Sequence, residues 1–256
     1  NINHPYVSIV SFKDELIDNA GAARRMIMKW AYTNGYDNIF SFDDDLLNIQ
    51  VTEKGYTGKG DLKSKVISDM NICKVLASWQ LAMEHAENLY DVVLSGAMPM
   101  GFSWKMEYCF KSHSMLMYRG NLNQAVCINV KKLFDAGIVY KDNKDIGHED
   151  IQLVAEINHK NQMRISHDLA VCTFPFLAYS VPPMTCENFG NFGSNMKDRF
   201  RNQQAIMLSN WHDTPWINFR EKRDLCQVVI NWRRYRKDIG VNQYVYDIFE
   251  GDDFNI

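Results

Sequence analysis

The feature that most constrains this 256-residue chain is a hydrophobic run, Asn38-Ile39-Phe40-Ser41-Phe42, that ends directly in three carboxylates, Asp43-Asp44-Asp45. Its aromatic and β-branched residues suit a strand. In extended backbone Asp43 and Asp45 project to one side and Asp44 to the other. Two carboxylates on one side suit a hard divalent cation, Mg2+ or Mn2+, that keeps positions open for phosphate oxygens. The competing reading is a solvated acidic turn capping the next segment. Adjacent carboxylates repel one another, and a hydrophobic strand running straight into them favours the cation.

The pattern around this strand is α/β. Tyr6 to Phe12 and Asp91 to Gly96 read as further strands, and Gly21-Ala22-Ala23-Arg24-Arg25 opens a helix that Gly35 stops. A polar loop from Glu53 to Gly60 leads into a long helix whose apolar stripe runs Leu62, Val66, Met70, Cys73, Leu76, Trp79 and Met83. Short strands are expected at Ser114 to Tyr118 and Ala125 to Asn129, a helix from Gly147-His148-Glu149-Asp150 to about Asn161, and a strand from Arg164 to Thr173. Alternating strands and helices predict a mainly parallel sheet flanked by helices. Two basic helices, about Met196 to Ser209 and Arg220 to Lys237, are expected to follow the polar turn Asn188 to Asn195.

Composition narrows the class. With 46% hydrophobic and 23% charged residues, collagen-like, low-complexity and largely disordered chains are excluded. The six cysteines form no CxxC pair and read as free thiols of a reducing compartment, mostly in the core. The most apolar stretch, Leu169 to Met184, is too short for a membrane span and carries three prolines. No signal peptide is legible, so a soluble cytosolic protein without membrane partners is expected. The net charge of −3 argues against a uniformly basic coat. Yet Met196 to Lys237 holds 10 basic against 4 acidic residues, a local basic face.

Two further groups carry chemistry. The N-terminus of the helix opened by Gly21 offers free N–H groups and a positive dipole end, with Arg24 and Arg25 in its first turns, as an anion site; the alternative is a surface arginine pair. Glu149 and Asp150 occupy the first turn of their helix, where carboxylates complement the dipole whatever else they do.

Taken together, Gly21-x-x-Arg24, a helix, Gly35-Tyr36, the hydrophobic strand and Asp43-Asp44-Asp45 resemble the donor half of GT-A-fold glycosyltransferases, and Gly147-His148-Glu149-Asp150-Ile151-Gln152-Leu153 resembles their acceptor-side motif. Within that fold the chain resembles the TET/JBP-associated glycosyltransferases of phages and kinetoplastids, which are thought to glycosylate hydroxymethylated pyrimidines in DNA. The resemblance covers about Val7 to Asp168. It implies a GT-A-like, Rossmann-type core over residues 1–187, with the donor half at about 1–100 and the acceptor half at about 101–187. A loop and basic helical extension would follow over 188–256. It also implies a UDP-sugar donor, Mn2+ or Mg2+ as metal, and the cytoplasm of a phage-infected host as location. Asp43 and Asp45 would hold the metal and the donor diphosphate, and Asp44 would touch the ribose or sugar. Gly21, Arg24 and Arg25 would line the donor side, with Arg24 holding the donor or bracing the acidic loop. Asp150 would be the general base of an inverting transfer, with Glu149 structural. A further metal ligand is often a C-terminal His in this fold, for which His212 and His167 are the candidates. Two departures from the family pattern are Arg25, where Asn is common, and a first strand that is short or absent before Val7.

In the basic region, Arg233-Arg234-x-Arg236-Lys237 suits phosphate contacts, and the interleaved Phe200, Trp211, Trp216, Phe219, Trp232 and Tyr235 offer rings for an unstacked base. The competing reading makes the rings core residues and the bases a solvated face. Together with this basic region, the resemblance implies a metal-dependent glycosyltransferase acting on a 5-hydroxymethylcytosine-type base in DNA. The alternatives are a transferase of the same fold with a protein, glycan or lipid acceptor, a non-catalytic DNA-binding module, and a metal-dependent nucleotidyltransferase.

Overall fold

The computed structural model describes residues 10–12, 17, 19–43, 46–52, 64–66, 72–87, 91–99, 116–118, 122, 125–142, 149–162, 169–180, 205–206, 209–211, 214–222, 225–239 and 244–245. Helix α1 spans Ala20–Thr33. Alanines favour it, and Asn19 caps it, accepting the Ala22 N–H at 2.9 Å. The helix ends at Thr33 with Asn34 as its C-cap, and Gly35 follows with a φ of 78° in the left-handed region that glycine adopts without strain. Strand β1 (Asn38–Phe42) follows, then β2 (Leu46–Thr52), β3 (Ser64–Val66), helix α2 (Ile72–Glu87) and β4 (Asp91–Pro99). Strands β5 (Leu116–Tyr118) and β6 (Ala125–Asn129) lead into helix α3 (Val130–Asp135). Helix α4 (Glu149–Gln162) precedes β7 (Leu169–Ser180). The remainder holds β8 (Ile217–Lys222), β9 (Leu225–Ile230), helix α5 (Trp232–Ile239) and β10 (Tyr244–Val245).

Among the described residues the main sheet runs β1-β6-β4-β7-β2-β3, with β5 paired to β7 and β10 to β5. Strand senses differ from the mainly parallel sheet expected. β4 and β7 form a parallel pair, whereas β6 lies antiparallel between β1 and β4, and β2 is antiparallel to both β7 and β3. The reason is physical: β6 is buried at every position, and a strand buried on both faces reads as the same apolar run in either direction. Because β6 opposes both neighbours, β1, β4 and β7 nevertheless point the same way. Between Ala97 and Met98 the β4–β7 register slips opposite Pro175, which has no N–H to give the ladder.

Two further stretches depart from the sequence reading. Of the apolar stripe expected to be helical from Leu62, the described residues from Ile72 on are helical, whereas Ser64–Val66 pairs with Gln50–Thr52 as a strand; Leu62 and Met70 lie outside the described residues. The helix expected over Arg220 to Lys237 is corrected to a hairpin, β8–β9, followed by the shorter α5. Val228-Val229-Ile230 is a β-branched run that favours the pleated surface over a helix. Tyr6 to Ile9, Arg164 to Asp168 and Asn188 to Asn195 lie outside the described residues. No helix among the described residues is long and apolar enough to cross a membrane.

The core lies on both faces of β4 and β6. Trp79 of α2 is fully buried, meets Phe40 edge-on with ring centroids 5.5 Å apart, and donates its indole N–H to the buried Ser95 Oγ at 2.8 Å. Cys127 is buried in β6, and Cys73 lies exposed at the start of α2. Trp211, Trp216, Ile217 and Ile230 join the same cluster, so the hairpin is anchored by its apolar residues. His159 of α4 meets Trp211 edge-on at 5.7 Å.

Gly96 sits at a close approach within β4. A Cβ there would stand 2.5 Å from Leu122 Cδ2 and 3.1 Å from the Ala125 carbonyl oxygen. Gly96→Ala is expected to lower the unfolding free energy by about 1–3 kcal/mol, read from urea denaturation. Unchanged stability would show that Leu122 yields without cost.

A candidate active site around Arg24

Residues from three separate parts of the chain meet beside the N-terminal half of α1. Asp43 follows the last residue of β1, and the Leu46 N–H donates to its carbonyl at 3.1 Å. Leu46 pairs with Ser180, the last residue of β7, so Asp43 lies near where β1 and β7 both finish. Carboxyl ends of strands are where open α/β sheets gather ligands. The first turn of α4 supplies Glu149 and Asp150. The third part is the segment after α3, which carries Tyr140 and Asp142.

Arg24 joins these parts. Its Nη2 donates to Asp43 Oδ1 at 2.5 Å and its Nη1 to Glu149 Oε1 at 2.8 Å. The three side chains are only 18%, 26% and 14% exposed, which sets these ion pairs apart from surface pairs of little worth. Below the guanidinium lies the Tyr140 ring, 5.8 Å from centroid to Cζ, within cation–π range. Burial opposes the charge on Arg24, but Tyr140, Asp43, Glu149 and Asp150 outweigh it and raise its pKa. Asp150 therefore belongs to the same electrostatic cluster.

The segment bearing Tyr140 is tied on both sides. Toward α4, the Lys141 backbone N–H donates to the buried Gln152 Oε1 at 3.2 Å, and Lys141 Nζ lies 2.6 Å from Glu156 Oε1. Toward α1, Asn19 Nδ2 donates to Asp142 Oδ1 at 2.6 Å. Arg25 Nη2 is 3.9 Å from Asp142 Oδ2 and its side chain is 42% exposed, so this pair adds little. The helix start itself differs from an open anion site: Gly21 is buried, and the Ala22 N–H is given to the Asn19 cap. What reaches the carboxylates is the Arg24 side chain.

The sequence motifs thus fall into two groups. Arg24, Asp43, Glu149 and Asp150 come together, with Arg25 at the margin. Asp44, Asp45, His167 and His212 lie outside the described residues. Arg233, Arg234 and Lys237 are exposed on α5, where their spacing of three and four shares a helix face; Arg234 Nε lies 3.8 Å from Asp238 Oδ2. Three contributors were not singled out by the motifs. Asn19 before an alanine-rich run carries a helix-cap signal, whereas Tyr140 and Asp142 sit in an aperiodic segment with none.

Among the described residues no group of three His, Cys, Asp or Glu is arranged to hold a metal ion. Asp43 is the described member of the expected ligand set, and its donor chemistry fits a hard divalent cation. A carboxylate has about four lone-pair positions, so the bond from Arg24 does not exhaust it.

Burial pushes the Tyr140 phenol well above its ordinary value; Arg24 pulls it down, and Asp150, Glu149 and Asp43 push it up again. The unfolded chain, with a tyrosine pKa of about 10, releases this proton first. The contribution of Tyr140 to stability is therefore whole below about pH 10 and declines as pH rises beyond it. Tyr140→Phe is expected to shrink the alkaline loss of stability between about pH 9 and 11, measured by denaturant unfolding against wild type. Identical alkaline slopes would place the phenol in contact with solvent.

No family model, curated protein or solved structure matches the chain.

Proposed function

We propose that the protein is a metal-dependent glycosyltransferase that moves a sugar from a UDP-sugar to a hydroxymethylated pyrimidine in DNA, of the 5-hydroxymethylcytosine type, with inversion at the anomeric carbon. The observation that carries this reading is the bridge made by Arg24 between Asp43 at a strand end and Glu149 at a helix start, 125 residues from Arg24, with Asp150 in the same cluster. This contact supports reading the donor-side and acceptor-side motifs of the sequence as parts of one site.

In this reading Asp150 accepts the proton of the acceptor hydroxyl while the hydroxyl oxygen attacks the anomeric carbon. The bond from that carbon to the diphosphate breaks, and its electron pair leaves on the phosphate oxygen. A divalent cation held through Asp43 and Asp45 would supply charge neutralisation for the departing diphosphate. Arg24 holds Asp43 in place and contributes a fixed positive charge nearby. Exposed Arg233, Arg234 and Lys237 suit the DNA backbone, whose neutralisation makes binding fall with salt. The reaction belongs to the cytoplasm of a phage-infected cell, where modified DNA and nucleotide sugars coexist.

The test is mass spectrometry of nucleosides from hydroxymethylcytosine DNA incubated with the protein, Mn2+ and a mixture of UDP-sugars. A hexose or pentose adduct is expected on this DNA alone and not on unmodified DNA. Asp150→Asn should lower its formation by about a hundredfold or more. UDP release without a DNA adduct would move the acceptor to a protein, glycan or lipid, and an adduct carrying a nucleotide would make the enzyme a nucleotidyltransferase. The absence of both an adduct and UDP release would contradict the reading.

A further inference from the structure

Arg24 contacts carboxylates that belong to opposite halves of the proposed site. Asp43 stands on the donor side and Glu149 on the acceptor side, and one planar fork serves both, Nη2 to the first at 2.5 Å and Nη1 to the second at 2.8 Å. A guanidinium is rigid, so its two ends cannot be reoriented independently. The Tyr140 ring at 5.8 Å restricts it from one face. Charges this little exposed interact through a medium less polarisable than water, so a change at one of them is felt by the others. Arg25, more exposed and 3.9 Å from Asp142, has no such arrangement.

We propose that Arg24 is a positioning residue that makes the two halves interdependent, and that Glu149 therefore takes part in donor binding although it stands on the acceptor side. A ligand that changes the charge balance at Asp43 alters the hold of Arg24 on Glu149, and with it the setting of the α4 first turn that carries Asp150. Reciprocally, loss of Glu149 loosens Arg24 and weakens what binds at Asp43. The assignment of the halves rests on the transferase reading; the linkage itself rests on the two ion pairs.

The experiment is calorimetric titration of UDP with Mn2+ into the full chain, as wild type, Glu149→Gln, Arg24→Lys and the double variant, with melting temperatures measured alongside. Glu149→Gln is expected to weaken UDP binding by about fivefold or more. Arg24→Lys should weaken it too, because an ammonium is a point charge that cannot hold both carboxylates in the fork geometry. In the Arg24→Lys background Glu149→Gln should then weaken binding by less than in wild type. Wild-type affinity in Glu149→Gln, or fully additive losses, would overturn the proposal. If the wild type itself binds no UDP, the transferase reading fails and melting temperatures decide the linkage. Glu149→Gln should lower the melting temperature in wild type and raise it in Arg24→Met, or lower it less in Arg24→Lys if Arg24→Met does not fold. Equal lowering in the wild-type and Arg24-substituted backgrounds would overturn the linkage.

Discussion

A guanidinium held between two carboxylates organises the described part of this protein. Arg24 lies one turn into α1, and its reach to Asp43 and Glu149 fixes how the first helix sits against the end of β1 and the start of α4. Much around it serves that placement. Asn19 caps the helix and binds Asp142; Gln152 and Glu156 hold Lys141; and Tyr140 is thereby set beneath the guanidinium. Each contact is modest by itself. Their convergence on one side chain is what turns a helix start, a strand end and a second helix start into a single place.

The charge at that place is unbalanced. Asp43, Asp142, Glu149 and Asp150 stand around Arg24 and Arg25, an excess of acid among the described residues before Asp44 and Asp45 are considered. A site built this way is complementary to cations and, through Arg24, also keeps a positive group near any anion that arrives with one. In the proposed reading, that combination would serve a diphosphate escorted by a divalent metal. The buried phenol of Tyr140 stays neutral at physiological pH and adds apolar surface and a ring face without adding charge.

The sequence was most legible where a local signal coincided with the structural role. The apolar strand ending at Phe42, just before Asp43, and the helices starting at Ala20 and Glu149 follow from the hydrophobic run, the Gly21-Ala22-Ala23 opening and the first-turn carboxylates. Strand senses were not legible, because a strand buried like β6 reads alike in both directions. Nor was β2, whose partner β7 lies more than a hundred residues away, so that local pattern carries no trace of the pairing. In the C-terminal region the basic residues suggested helices, yet the β-branched Val228-Val229-Ile230 prevailed and made a hairpin. At the site, the motifs supplied the charged residues but not the geometry. Glu149 read as a helix-dipole complement turns out to hold Arg24 as well, and Tyr140 had no signal at all.

Hydrogen–deuterium exchange of wild type and Arg24→Met, compared segment by segment, tests most directly whether Arg24 unites the site. The account predicts that residues 19–25, 38–43 and 149–155 lose protection together, while β4 and β6 at the sheet centre keep theirs. Loss confined to α1, with the β1 end and the α4 start unchanged, would contradict it.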